Sequence, residues 1–196
     1  MFEDFNFKNS KKNKEPFKFT YHKKYNIKKI KNEILKLQDE WYFDTSRQDK
    51  HGVHKETTTF FLTDYDVNWK INSKYKINIY DSNSKLWNLV LPIIKDLEKI
   101  HNGKVGKVLF PKLKAYGKIY KHKDATEYLD IVRRHHIPII TNNNVFFNIE
   151  GDSLNMLEGE CWEINNMKEH EVINNSNQDR IHLMIDIIPN EYINDN

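Results

Sequence analysis

A chain of 196 residues has the length of one domain, and 31 Lys and Arg against 28 Asp and Glu leave a formal charge of only +3, which argues against a dedicated nucleic-acid binder. The hydrophobic fraction is 38% and the mean hydropathy −0.80, so no run approaches the ~20 apolar residues that span a bilayer, whereas 13% aromatic residues supply bulk for one core and exclude disorder throughout. The N-terminal residues carry acid and no secretory apolar stretch, and the single cysteine, Cys161, can form neither an internal disulfide nor a Cys-based zinc site, so the expectation is a cytoplasmic protein.

In chain order, residues 1–15 are rich in Lys and Asn and aperiodic, which predicts a mobile or loosely docked basic tail ahead of a single domain at 16–196. Ile27, Ile30, Ile34 and Leu37 recur at intervals of three and four, the spacing of a short amphipathic helix. The β-branched and aromatic run 57–62 predicts a strand. Leu86, Val90, Ile93, Ile94 and Leu97 line one face of a helix over 84–101, stopped by His101-Asn-Gly103. Beyond Gly103, extended stretches follow at 105–113, 118–122, 131–141, 145–149, 161–164, 170–174 and 180–188. Short strands so closely spaced, with no helix between them, predict an antiparallel sandwich or barrel. The basic runs 11–14 and 28–31 read as solvated surface, and Phe60, Phe61, Trp69, Trp87 and Trp162 as packing. Cys161, by alternation, faces away from Trp162.

Chemistry enters in the strand-rich half. His122 and Asp124 are two apart on a predicted strand, so both side chains leave one face. His170, on a later strand, could complete a set of two histidines and one carboxylate, which leaves three positions of an octahedral metal open, as non-haem Fe(II) oxygenases require. The plain alternative is three ordinary polar side chains. Arg180 opens an otherwise apolar strand, where a buried guanidinium calls for an anion and matches a carboxylate with two bonds. Arg134 and His136 share one face of 131–141, and with Arg180 they outline a dianion site. Arg180 could instead pair with Asp152 or Asp179, and 133–136 could form an exposed basic edge.

Five ordered blocks carry a resemblance: Leu113 through Gly117 to His122 and Asp124; Arg134-His-His136-Ile-Pro138; Gly159-Glu160-Cys-Trp162; His170-Glu-Val-Ile-Asn174; and Arg180 through Asp186. Over roughly residues 84–190 the chain resembles the aspartyl/asparaginyl β-hydroxylase family of Fe(II)- and 2-oxoglutarate-dependent oxygenases. The resemblance implies a mainly β fold, a double-stranded β-helix (jelly roll, cupin-like) with flanking α-helices and a barrel core at about 104–190. It implies Fe(II) on His122, Asp124 and His170, with Arg180 on the distal carboxylate of 2-oxoglutarate and Arg134 and His136 on the carboxylate next to the keto group. Dioxygen would be the further co-substrate, and the product a hydroxylated C–H bond of a peptidyl residue or free amino acid of the Asp, Asn or Pro type. Two features set this chain apart. Ala115-Tyr116 stands where the family often has Pro-Gly, and Asp124 keeps the carboxylate ligand that some animal members lack, as in microbial branches that include proline hydroxylases.

Two readings from other classes stay open. A cupin-like fold can bind metal or ligand without turnover, and the basic N-terminal region with Phe17, Tyr21 and Tyr25 could stack bases. Because all the site residues follow Gly103, substrate selection is expected from earlier segments. The stretch 54–64, with polar side chains on both faces, is expected at the barrel mouth, Glu56 and Thr58 facing the substrate.

Overall fold

Apolar alternation sorts the chain into two antiparallel sheets. The computed structural model describes residues 10–37, 52–65, 70–124 and 126–194. Its strands are β1 (Phe19–Lys24), β2 (Thr57–Tyr65), β3 (Ile77–Ile79), β4 (Gly103–Leu113), β5 (Lys118–His122), β6 (Arg133–Ile140), β7 (Val145–Ile149), β8 (Asp152–Leu154), β9 (Glu160–Ile164), β10 (His170–Asn174) and β11 (Arg180–Pro189). The helices are α1 (Lys28–Ile34), α2 (Lys85–Ile100) and α3 (Glu127–Ile131). One sheet has the order β1-β9-β6-β11-β4-β2-β3 and the other β5-β10-β7-β8. The fold is a mainly β, cupin-like jelly roll with flanking helices.

Residue parity on β11 assigns the two faces of the larger sheet. Ile181, Leu183, Ile185 and Ile187 share a core with Ile30 and Ile34 of α1 and Val90, Ile94 and Leu97 of α2. By alternation Arg180, His182, Met184 and Asp186 take the opposite face. A second core of Leu113, Ile119, Phe147, Ile149, Ile164 and Val172 joins the sheets. Burying a Leu, Ile or Phe side chain contributes about 1.5–3 kcal/mol each, so the first core fixes the helices on the larger sheet and the second fixes the two sheets on each other.

The strands expected at 57–62 and after Gly103 are present with small shifts at their ends, and α2 starts where expected, Ser84 Oγ accepting from Trp87 N at 3.1 Å. The helix expected over 27–37 is α1 followed by a 3₁₀ turn. Other expectations are corrected. The strand-rich half does contain a helix: Thr126 Oγ1 accepts from Leu129 N at 3.1 Å and Glu127 and Asp130 occupy the first turn of α3, a capped start that outweighs the extended reading there. β1, β3 and β8 were not anticipated. β1 has no fully buried residue, only Phe19 and His22 being half-buried, so its sequence shows no period of two.

The basic N-terminal stretch is docked over residues 10–15. Ser10 and Lys12 are buried, Ser10 donating to Asp130 and the Lys12 ammonium to Val132 O and Asn166 Oδ1. These partners lie more than a hundred residues away and leave no local trace in the sequence. Lys12 is therefore not solvated, and burial lowers its pKa to about 8. Trp87 is core, Phe60 and Phe61 are half-buried, and Trp69 lies outside the described residues.

Candidate active site

β5 and β10 pair with His122 directly opposite His170, their rings 4.3 Å apart. Each Nδ1 faces a backbone carbonyl, Tyr120 O at 2.6 Å for His122 and Lys168 O at 2.8 Å for His170. An Nδ1–H donated to a carbonyl leaves the Nε2 lone pair free and aims it. Asp124 lies two residues past β5, its N–H donating to Asn166 O at 3.1 Å and its Oδ1 3.8 Å from His122 Nε2. One ligand atom from each of the three lies within 4.8 Å of the others. Burial holds the His170 imidazole down at about 4, so it is neutral near pH 7, the form a metal needs.

Arg134 backs this cluster. Its Nη1 donates to Asp124 Oδ2 at 2.5 Å, while Nε and Nη2 fork onto Asp186 Oδ1 and Oδ2, each at 2.8 Å. The β6–β11 register sets Arg134 directly across from Asp186. Asp186 is fully buried and also accepts from the Tyr128 hydroxyl at 3.2 Å. The sequence reading turned Arg134 toward a ligand's carboxylate. In the structure the guanidinium meets two carboxylates of the chain itself, and it positions Asp124. Asp186 was not singled out, although it shares the parity of Arg180 on β11.

Arg180 is the reverse case. It is 1% exposed, its Nη2 donates to His182 Nδ1 at 2.7 Å, and its Nε has no hydrogen-bond partner among the described residues. Asp152 pairs with Lys18 and Asp179 accepts from Ala115 N, so neither serves it. Desolvation without a compensating anion pulls its pKa down to about 9. His136 Nδ1 and His182 Nε2 are likewise buried without partners, in rings 5.7 Å apart. Three orphaned polar atoms around a buried cation fit a carboxylate ligand, since buried polar groups are otherwise satisfied. His182 also escaped the sequence reading, though alternation with Arg180 marks it.

All six expected residues, His122, Asp124, Arg134, His136, His170 and Arg180, line one cavity, with apolar walls that include Ile119, Phe147, Val172 and Met184. The run 133–136 is no exposed edge, because Arg134, His135 and His136 are buried. His54 and Thr57 reach the cavity from the stretch expected at its mouth. Glu56 does not: its carboxylate accepts from Lys118 N at 2.7 Å and pairs with Lys114, clipping β5 in place. Thr58 is half-buried, and the cavity lining takes its neighbour Thr57 instead. Tyr25 donates to Asp96 at 2.6 Å, and Tyr21 packs on Trp162 at 5.1 Å, which engages two rings considered for base stacking. Cys161 is buried on the helix side, and Trp162 is half-buried on the other face.

The profile of the family described as aspartyl/asparaginyl β-hydroxylase matches residues 24–189. No curated protein matches the chain. Among solved structures, the viral collagen prolyl hydroxylase of Paramecium bursaria Chlorella virus-1, in its 2OG complex, is 6% identical over 89% of this chain and 97% of its own, with a TM-score of 0.57. A Pseudomonas putida prolyl-4-hydroxylase is 8% identical over 89% and 94%, at 0.55. A Burkholderia pseudomallei oxidoreductase of the 2OG-Fe(II) oxygenase family is 9% identical over 88% and 95%, at 0.51. At these identities the likeness is one of fold. Two further solved structures match over shorter stretches, the chain spanning 35% and 54% of their lengths at TM-scores of 0.34 and 0.43.

Proposed function

Because the chain belongs to the aspartyl/asparaginyl β-hydroxylase family, a family of hydroxylases, we propose that it is an Fe(II)- and 2-oxoglutarate-dependent dioxygenase acting on a C–H bond of an amino-acid substrate, peptidyl or free, of the Asp, Asn or Pro type. The observation that carries this reading is a donor cluster of two histidines and a carboxylate in the same cavity as a buried arginine that meets no anion among the described residues.

Iron and 2-oxoglutarate, when bound, supply the oxidising chemistry that no side chain can. His122 and His170 hold the metal through Nε2, each kept in that tautomer by its carbonyl partner. Asp124 supplies the anionic ligand, and Arg134 fixes its orientation while being neutralised by Asp186. Arg180 receives a carboxylate of 2-oxoglutarate with its guanidinium fork, held by His182. His136, kept neutral by burial and by the neighbouring guanidiniums, offers its unpartnered Nδ1 to the carboxylate beside the keto group. The apolar walls exclude water from the reacting centre. No side chain is asked to act as a general base.

Succinate formation from 2-oxoglutarate with Fe(II) and ascorbate tests this. The wild type is expected to turn over, faster when proline, aspartate, asparagine or a peptide containing them is the substrate, while His122→Ala and His170→Ala fall to background. Undiminished succinate formation in both variants would overturn the assignment.

A further inference from the structure

A second cluster of ligating side chains lies on the far side of β6. Arg134 and His136 enter the cavity, so His135 between them points the other way, toward α2. Its Nε2 lies 2.9 Å from Nε2 of His101, the residue that ends α2. Glu163 sits directly across the β6–β9 ladder from His135. His22 falls at the irregularity in the β1–β9 register, where a bulge re-aims a side chain, and its Nε2 is 3.3 Å from Glu163 Oε2. His101 Nε2 is 3.9 Å from the same oxygen. One ligand atom from each of the four residues lies within 4.8 Å of the rest.

We propose that His22, His101, His135 and Glu163 bind one divalent transition-metal ion of the zinc class in a closed, tetrahedral, structural site. Metal–nitrogen bonds of about 2.0–2.1 Å in a tetrahedron space the ligand atoms about 3.3 Å apart, and the separations of 2.9, 3.3 and 3.9 Å bracket that value. Three imidazoles and one carboxylate suit zinc or cobalt, and oxygen-seeking magnesium or calcium poorly. Supporting contacts aim the ligands: His135 Nδ1 lies 3.3 Å from Ile185 O, and Arg133 Nη1 donates to Glu163 Oε1 at 3.2 Å, leaving Oε2 for the ion. The side chains of His22 and His101 are 14% and 13% exposed, which gives an ion its way in. Four protein ligands leave no position for a substrate. The ion would staple β1 and the end of α2 to the sheet behind Arg134 and His136.

The rival is a metal-free hydrogen-bonded network of the same side chains. The two are separated with Co(II), whose tetrahedral complexes absorb intensely in the visible and whose octahedral complexes are pale. The full chain carrying His122→Ala and His170→Ala together removes both histidine donors of the cavity cluster and leaves Asp124 alone there, so the outcome does not depend on the oxygenase reading. In that background one equivalent of Co(II) is expected to give tetrahedral bands, displaced by Zn(II), with a rise in melting temperature on metal addition. His22→Gln or His101→Ala, added to it, is expected to weaken Co(II) at least about tenfold, since even outer-shell changes cost 10–100-fold. His22 sits at the partly exposed rim, and circular dichroism of the metal-free protein checks its folding. Pale six-coordinate cobalt, no cobalt bound, or affinity unchanged by both substitutions would overturn the site.

Discussion

Burial leaves Arg180 and Arg134 in opposite electrostatic positions. Arg180 bears the desolvation cost with no anion among the described residues, so its replacement by an apolar side chain of similar volume should not harm the fold. Arg180→Met is expected to keep or raise the melting temperature while weakening 2-oxoglutarate by about 2–5 kcal/mol in calorimetric titration. A large stability loss with unchanged 2-oxoglutarate affinity would assign Arg180 to the scaffold. Arg134→Met strands Asp186 at 0% exposure with the Tyr128 hydroxyl as its one remaining side-chain donor among the described residues, and about 3–5 kcal/mol of stability should go, read from the urea midpoint. An unshifted midpoint would contradict this. At this scale residue type and spacing made His122, Asp124 and His170 candidates, the ordered blocks of the resemblance singled them out, and the structure brings the three together. The sequence was silent where a partner is chosen by strand register, which is how Asp186 claims Arg134.

The elements around α3 meet at one close approach. A Cβ on Gly106 of β4 would collide with the Tyr128 hydroxyl, the oxygen that donates to Asp186 and accepts from Lys107 N at 3.0 Å. Gly106→Ala is therefore expected to destabilise by about 1–3 kcal/mol, the usual range for overpacking, with partial recovery when Tyr128→Phe is added. Strict additivity of the two changes in denaturation would show that they do not meet. Helix α3 itself was legible only through Thr126 and its acidic first turn, signals that the apolar residues after it obscured. The edge strand β1 could not be read at all, because what holds it is pairing with β9 and not an apolar face of its own.

Across the whole molecule, buried histidines set the acid limit of stability. Desolvation first, and then the charge of Arg180, holds His136 and His182 well below their ordinary value. Below about pH 6.5 the unfolded chain takes up protons that the folded chain refuses, so stability is full above that pH and falls beneath it, by up to about 1.4 kcal/mol per pH unit for each histidine. The urea midpoint of metal-free protein is expected to drop between about pH 7.5 and about pH 5, and less steeply in His182→Phe. A flat profile would show these rings to be protonated in the fold. The overall architecture was legible because so many short extended stretches leave few other folds. The docking of residues 10–15 was not, since the ammonium of Lys12 finds its acceptors beside α3 and in the turn after β9.

Strand β6 carries Arg134 and His136 toward one layer and Arg133 and His135 toward the other, with Ile137 and Ile139 continuing the second set into the core. A single inserted or deleted residue within it would exchange those two sets, sending the core residues into the cavity and the site residues against α2. Among diverging descendants of this chain, β6 should thus tolerate changes of residue far better than changes of length. Length variation should collect instead outside the strand, as in the connection 141–144, where the alternation between the two layers ends.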